Sequence, residues 1–148
     1  MYAMHLRVPR RVERPRYAWA AIALEILTAI LAIPVGLIFL SDPSGAAMGL
    51  PQGWIEATPF GSYTIPGLYL FGMNGLGMLV VAGMSVMRHW SAPWLTGVLG
   101  TGLVIWILVQ VVVMPEVTWL QALFGVIGVG LDVVAVAWLR LTGQLRLW

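Results

Sequence analysis

The chain has no cysteine and no lysine, only two histidines, and few charges of either sign. Without cysteine there is no disulfide, no thiolate metal site and no thiol nucleophile. Two histidines and six acids leave little material for a catalytic centre. No phosphate loop, serine triad or dinucleotide fingerprint occurs, and there is no internal repeat or low-complexity segment. Charged residues make up 9% of the 148 positions, against about 25% in a soluble domain, so the chain lacks the means to cover a water-facing surface. What it has instead is 60% hydrophobic residues and a mean hydropathy of +0.91. These values predict an all-α, polytopic integral membrane protein.

A bilayer crossing takes about 20 apolar residues, and four segments supply them: residues 17–40, 64–87, 94–114 and 119–139. Backbone in lipid must satisfy its own hydrogen bonds, so these are expected to be helices. The alternating segments of a β-barrel are absent. The expected organisation is a basic tail, 1–16, followed by a single four-span domain, 17–148, with one long outer loop, 41–63. The first span's apolar stretch, about 24 residues, exceeds the 7–15 of a signal-peptide core. It is therefore read as a span, and the Arg10-Arg11 pair as a charge anchor rather than a twin-arginine signal.

All eight basic residues are arginines, and they orient the thread. Arg7, Arg10, Arg11, Arg14 and Arg16 precede the first span, Arg88 separates the second from the third, and Arg140 and Arg146 follow the fourth. The two opposite connections carry Asp42, Glu56 and Glu116 and no basic residue. The positive-inside rule then predicts both termini in the cytoplasm, in a bacterial inner membrane. The arginines become contacts for lipid headgroups or a partner, and no nucleic-acid partner is expected. Trp19, Trp90, Trp94 and Trp138 fall near the inner interface and Trp54 and Trp119 near the outer one, the depth such rings favour. Trp106, within the third span, is the exception. Ser91 and Pro93 are expected to open the third helix, Pro115 to stop it, Thr118 and Gln121 to form a capping box, and Gly143 to end the fourth helix.

The outer loop reads as a cap. Asp42 before Pro43 has the pattern of a helix N-cap with proline at the first helical position, and a short surface helix through Met48 would close at Gly49. Leu50, Trp54, Ile55 and Phe60 are too apolar for free loop and are expected to fold over the outer mouth, as a shield for helix ends or as a ligand lid. The order Asp42-Pro43-Ser44-Gly45, Thr58-Pro59-Phe60 and Pro66-Gly67 resembles a group of small four-helix bacterial membrane proteins over roughly residues 25–130. In size and span number the chain is similar to DoxX-like proteins, which are linked to quinone or thiol redox chemistry; the similarity is one of architecture, supports the topology and assigns no chemistry. No redox motif accompanies it.

Intramembrane carboxyls are functional hypotheses by default. Glu25 lies about 13 Å of helix beyond Arg16, and Asp132 about 12 Å before Arg140, so the two acids are expected at one depth on antiparallel helices. The spacings Ala21, Glu25, Thr28, Ala32, Gly36 and Gln121, Gly125, Gly128, Asp132, Ala135 form small and polar stripes of the kind that pack helices in lipid. A fainter stripe places Asn74 inside. Both carboxyls are therefore expected to face the bundle, as a proton-handling pair, as a polar anchor for a headgroup, or as a protonated structural pair. One of them meeting a partner's cation is a further alternative. Asn74, Gln110, Gln121 and Trp54 are candidate ligand contacts beneath the loop, although for Gln121 the capping box is the favoured explanation. His89 is read as a headgroup contact. Met73, Met78, Met84 and Met87 are read as packing rather than a metal path.

The function expected first is non-enzymatic: an accessory or scaffold subunit of a larger membrane complex, or a self-associating one. A binder of a quinone, lipid or other hydrophobic ligand is the second reading, and a small proton-coupled transporter using Glu25 and Asp132 is the third. No metal and no tightly held cofactor are expected.

Overall fold

A computed structural model of the protein describes residues 11–145, and the expectations for Arg7, Arg10 and Arg146 lie outside the described residues. Among the described residues the structure is helical throughout, without strands. Helix α1 runs over Ala18–Ser41. A 3-10 turn, Ala46–Met48, and a short helix α2, Gln52–Glu56, fold the long connection. Helix α3 spans Thr64–Val86, α4 spans Ala92–Val113 and α5 spans Trp119–Leu141. The four long helices, α1, α3, α4 and α5, are each long and apolar enough to cross a membrane.

The helices run up and down, so the two described termini share one end of the bundle and the long connection lies at the other. The closest pairings are α1 with α3 and α4 with α5. Between helices in lipid there is no hydrophobic driving force, and small residues that let backbones approach take its place. Gly100 and Gly128 do this for α4 and α5: a Cβ built on Gly100 would stand 2.9 Å from the Gly128 carbonyl oxygen. Gly36 and Gly67 do it for α1 and α3, with Gly36 lying against the Phe71 backbone. The shared interior holds Ala21 and Ala29 of α1, Met78 and Val81 of α3, Leu103 and Trp106 of α4, and Leu131 of α5. The outer surfaces are apolar as well: Val112 is 84% exposed and Val126 71%. In water such a continuous apolar surface would drive association.

One element departs from regular helix. Residues Leu70–Gly77 of α3 form a π-helical segment, Leu-Phe-Gly-Met-Asn-Gly-Leu-Gly. Three glycines in eight residues remove side chains that would otherwise hold the α-helical turn, and Gly75 lets Ile33 of α1 reach a point where a Cβ would stand 2.6 Å away. π-turns occur frequently at functional sites, and this one carries the buried Asn74.

The helix ends follow the expected chemistry except at Ser91 and at Asp42, which ends α1 instead of capping a helix that begins at Pro43; the 3-10 turn starts only after Gly45. Gln121 Oε1 accepts the Thr118 N–H at 2.6 Å, the reciprocal half of the capping box. The chain leaves α4 at Met114, in extended conformation before Pro115, and Gly143, at φ +67°, turns it after α5. Ser91 does not cap α4 through its side chain; its hydroxyl lies 2.8 Å from His89 Nδ1 instead. Trp138 lies at the terminal end but does not face outward. It is fully buried, and its indole N–H donates to the Glu13 carbonyl at 2.7 Å.

That bond belongs to a strap across the terminal end. The Val12 N–H donates to the Arg88 carbonyl at 3.0 Å, and the Arg14 guanidinium donates to the Val86 carbonyl at 2.9 Å while lying 4.2 Å over the Trp19 ring. The described part of the basic tail is thus tied to the turn between α3 and α4. Arg11 and Arg16 remain exposed.

Candidate functional site

At the loop end the four helices diverge around a cavity of about 380 Å³, within the range of small-molecule sites. Its walls come from all four long helices, and the loop roofs it. Leu50, Trp54, Ile55 and Phe60 fold back over the mouth, and Ile55, Tyr63 and Phe39 form a small core of their own. Tyr63 is held face to face on Phe39, with ring centroids 4.6 Å apart. Its N–H donates to the Pro43 carbonyl at 2.9 Å. Gly45, at φ +81°, turns the loop directly against the Tyr63 ring, where a Cβ would stand 2.6 Å from Cε2.

Asp42 organises the first part of this roof. Its Oδ2 accepts the Ala47 N–H at 2.7 Å, and its Oδ1 accepts the Ser44 hydroxyl at 2.6 Å and the Ser44 N–H at 3.2 Å. The Ser44 hydroxyl and then the Ala47 amide hold the Asp42 carboxyl below its ordinary value, because they stabilise the charged form.

The cavity wall is mostly apolar, and a few polar groups converge on it. Thr28 of α1, Tyr63 at the start of α3, and Trp106 of α4 all line it. Thr28 Oγ1, the Tyr63 hydroxyl and Trp106 Nε1 are each buried without a hydrogen-bond partner. Buried polar groups are nearly always paired, so three orphans among the residues that line one cavity are unusual; each atom is closed off from the open space itself, and a ligand would reach it only with a small side-chain movement. All three can donate; the indole N–H can do nothing else. Trp106 is fixed by stacking on Tyr69 at 4.6 Å, and Tyr69 is anchored through its hydroxyl to the Gly102 carbonyl at 2.8 Å. Among the described residues, the cavity wall has no arginine, and its one ionisable carboxyl, Glu116, belongs to an exposed residue near the loop end.

Comparison with protein families, with curated proteins and with solved structures finds no match to this chain. The chemistry of the site therefore rests on its own geometry.

Of the residues singled out from sequence, Asn74, Gln110, Gln121 and Trp54 all line this one cavity. Gln121 does so while its side chain also caps α5. The two intramembrane acids do not join them, and no hydrogen bond joins one acid to the other. Glu25 is fully buried. Its Oε1 accepts the Thr96 hydroxyl at 2.8 Å, and its Oε2 has no partner. Glu25 lies one turn below Thr28, just under the cavity floor. Asp132, expected to face the bundle, is only half-buried. Its Oδ1 accepts the hydroxyl of the exposed Thr101 at 3.1 Å. The reason is packing: the glycine stripe of α5 is consumed by the tight approach to α4 at Gly100, and a carboxyl one turn on from Gly128 emerges at the rim of that seam.

The methionines form no common path: Met78 is fully buried while Met73 and Met87 are exposed. Among the described residues no three His, Cys, Asp or Glu side chains gather to hold a metal.

Sequence reasoning missed Thr28 and Tyr63 as site residues and noted Trp106 only as out of place among interfacial tryptophans. That misplacement was the available signal, since an indole N–H inside a span needs an acceptor. Nothing local marks Thr96 or Thr101 as partners of the acids.

Proposed function

We propose that this protein binds an uncharged amphiphile, a quinone or a neutral lipid, in the cavity beneath the loop cap. The observation that carries the reading is a mostly apolar cavity of ligand size whose lining residues include three with buried unpartnered donors, Thr28, Tyr63 and Trp106, beside the amides of Asn74, Gln110 and Gln121. Donors without a neighbouring cation suit carbonyl or ether oxygens. A phosphate or carboxylate headgroup would enter the site without a counter-charge, at a large desolvation cost.

Entry from the side is favoured. Leu31, midway along α1, and Leu120, at the start of α5, line the cavity and are also exposed on the outside of the bundle, so both helices of the α1/α5 seam offer cavity residues to the lipid. Nearer the terminal end Leu24 packs on Gly130 and closes the same seam. A membrane-dissolved molecule could reach the donors between α1 and α5 without crossing water.

The test uses the full chain in lipid nanodiscs with decylubiquinone as the probe. Saturable binding is expected. It should be lost in Ala32→Phe, which fills the cavity from α1, and weakened in Trp106→Phe. Binding that survives Ala32→Phe unchanged would place the ligand elsewhere and overturn the proposal.

The arginine distribution supports an orientation with the terminal end in the cytoplasm of a bacterial inner membrane. A second reading, an accessory subunit of a larger membrane complex, is favoured by a separate observation, the half-buried Asp132 at the rim of the α4/α5 seam. A proton-coupled transporter using a shared Glu25–Asp132 proton is less well supported, because each acid has its own threonine.

A further inference from the structure

We infer that the groove around Asp132 and Thr101 docks a membrane helix of another protein that carries a lysine or arginine at mid-depth. Asp132 sits about 20 Å of helix from Trp119 and about 14 Å from Leu141, well inside a hydrocarbon core about 30 Å thick. Ionisable side chains at such depth almost always face a bundle interior or a water-filled cavity, and pair there. Asp132 does neither within this chain. It is half-buried at the α4/α5 seam, it does not line the cavity, and its hydrogen-bonding partner is the exposed Thr101. A carboxyl on the outside of four helices becomes an interior one when a fifth helix covers it.

The chemistry of that helix follows from charge. The chain's arginines stand at positions 7, 10, 11, 14, 16, 88, 140 and 146, all before, between or near the ends of the spans. Among the described residues no basic side chain lies at the depth of Asp132. Lipid ammonium groups stay at the interface, about half the core thickness away. A second copy of the chain would bring a second carboxyl to the same place, and two like charges repel in a low dielectric. A basic residue on a partner helix neutralises the carboxylate at the position where neutralisation is worth most.

The surface around the pair suits helix docking. Val98 and Ile105 of α4 and Val129, Val133 and Val136 of α5 are all exposed. β-branched side chains on a helix are already confined to one rotamer, so covering them costs little side-chain entropy. Gly100 has no side chain under the carboxyl, where a Cβ would stand 2.7 Å from Asp132 Oδ1. Asp132 can therefore lie down in the seam and leave a shallow groove rather than a ridge. The inference is independent of the cavity reading, since none of these residues is needed to bind an amphiphile.

The probe is a set of leucine-rich transmembrane peptides with one lysine at the centre, one lysine two turns off centre, or none. Association with the full-length protein in liposomes is read by energy transfer between fluorescent labels. The central-lysine peptide should bind at least tenfold more tightly than the other two. Asp132→Asn, which keeps the shape and the Thr101 bond, should erase the difference. Val133→Trp, which obstructs the groove from an exposed position, should weaken binding whether or not Asp132→Asn folds normally. Equal binding of lysine-bearing and lysine-free peptides overturns the inference. So does energy transfer between two copies of the wild-type chain that Asp132→Asn abolishes, because the occupant would then be a second copy.

Discussion

Gly36 offers the sharpest test of how this bundle is held together. A Cβ added there would stand 2.6 Å from the Phe71 backbone nitrogen and 2.9 Å from its Cα. Both atoms are backbone at the start of the π-helical segment, so neither can swing away as a side-chain tip could. Restoring ordinary contact requires α1 and α3 to separate by roughly 1 Å, and overpacking of that kind typically costs about 1–3 kcal/mol. Gly83 is the internal control, because it lies on α3 with nothing within 4 Å of its would-be Cβ. Gly83→Ala should be neutral or stabilising, since alanine is the better helix former by up to about 1 kcal/mol. The assay is thermal unfolding of both variants in the same detergent, followed by tryptophan fluorescence. Gly36→Ala should melt several degrees below the parent, and Gly83→Ala at or above it. Because Ala32, Val35 and Phe39 on the same helix line the cavity, Gly36→Ala should also weaken decylubiquinone binding. If the two variants melt alike, close backbone approach at Gly36 is not what joins α1 to α3, and the packing argument fails.

Further outcomes follow from other contacts. Thr96→Val removes the hydroxyl that bonds Glu25 and should destabilise the bundle by about 0.6–1.7 kcal/mol, the range found for interhelical hydrogen bonds in membranes; chemical unfolding in mixed micelles measures it. Asp42 has a folded-state value held below 3.8 by Ser44 and the Ala47 amide, so its contribution to the loop is fully present above that pH and lost as pH falls through the lower, folded-state value. The Ala47 amide resonance should titrate with a midpoint below 3.8, and Asp42→Asn should abolish the titration. Since the chain has no cysteine, single cysteines report sidedness cleanly: in intact cells Gly53→Cys should react with an impermeant maleimide and Glu13→Cys should not. The reverse pattern would invert the proposed orientation.

Most of the fold was legible because lipid imposes strict length and polarity rules on a sequence. The spans expected at residues 17–40, 64–87, 94–114 and 119–139 differ from the observed helices by at most two residues at either end. Pro115, Gly143 and the Thr118–Gln121 pair marked their helix ends in advance. Apolar loop residues such as Ile55 and Phe60 announced the cap, since no free loop would carry them. Periodicity could not reveal the π-helical segment, because that segment is the place where the 3.6-residue period breaks. Small-residue stripes showed which face of α5 packs, but not against which helix. Gly128 and its stripe meet α4 rather than α1, and this turns Asp132 to the rim while Glu25 goes to the centre. The strap over the terminal end was hidden for a different reason: charge pattern places arginines on a side, but says nothing of the backbone hydrogen bonds that Val12 and Glu13 make there.

The two acids separate two kinds of role by their surroundings. Glu25 is sealed among four helices, with one oxygen bonded to Thr96 and the other unpaired beneath a cavity that carries three more unpaired polar atoms. In hydrocarbon each orphan costs free energy that packing alone does not return. A bundle that keeps several at one place is best explained by a bound molecule that completes them. Asp132 has the opposite problem, a half-covered place at the rim of a seam rather than an unfilled interior. The amphiphile that would satisfy Thr28, Tyr63 and Trp106 leaves Asp132 untouched, and a helix covering Asp132 leaves the cavity open. Binding at the two places should therefore be additive in the nanodisc and peptide assays: saturating decylubiquinone should leave the affinity of the central-lysine peptide unchanged. A strong dependence of one on the other would mean that the α4/α5 seam moves as the cavity fills. In that case Gly100 and Gly128, where the two backbones touch, would be the place to look for the coupling.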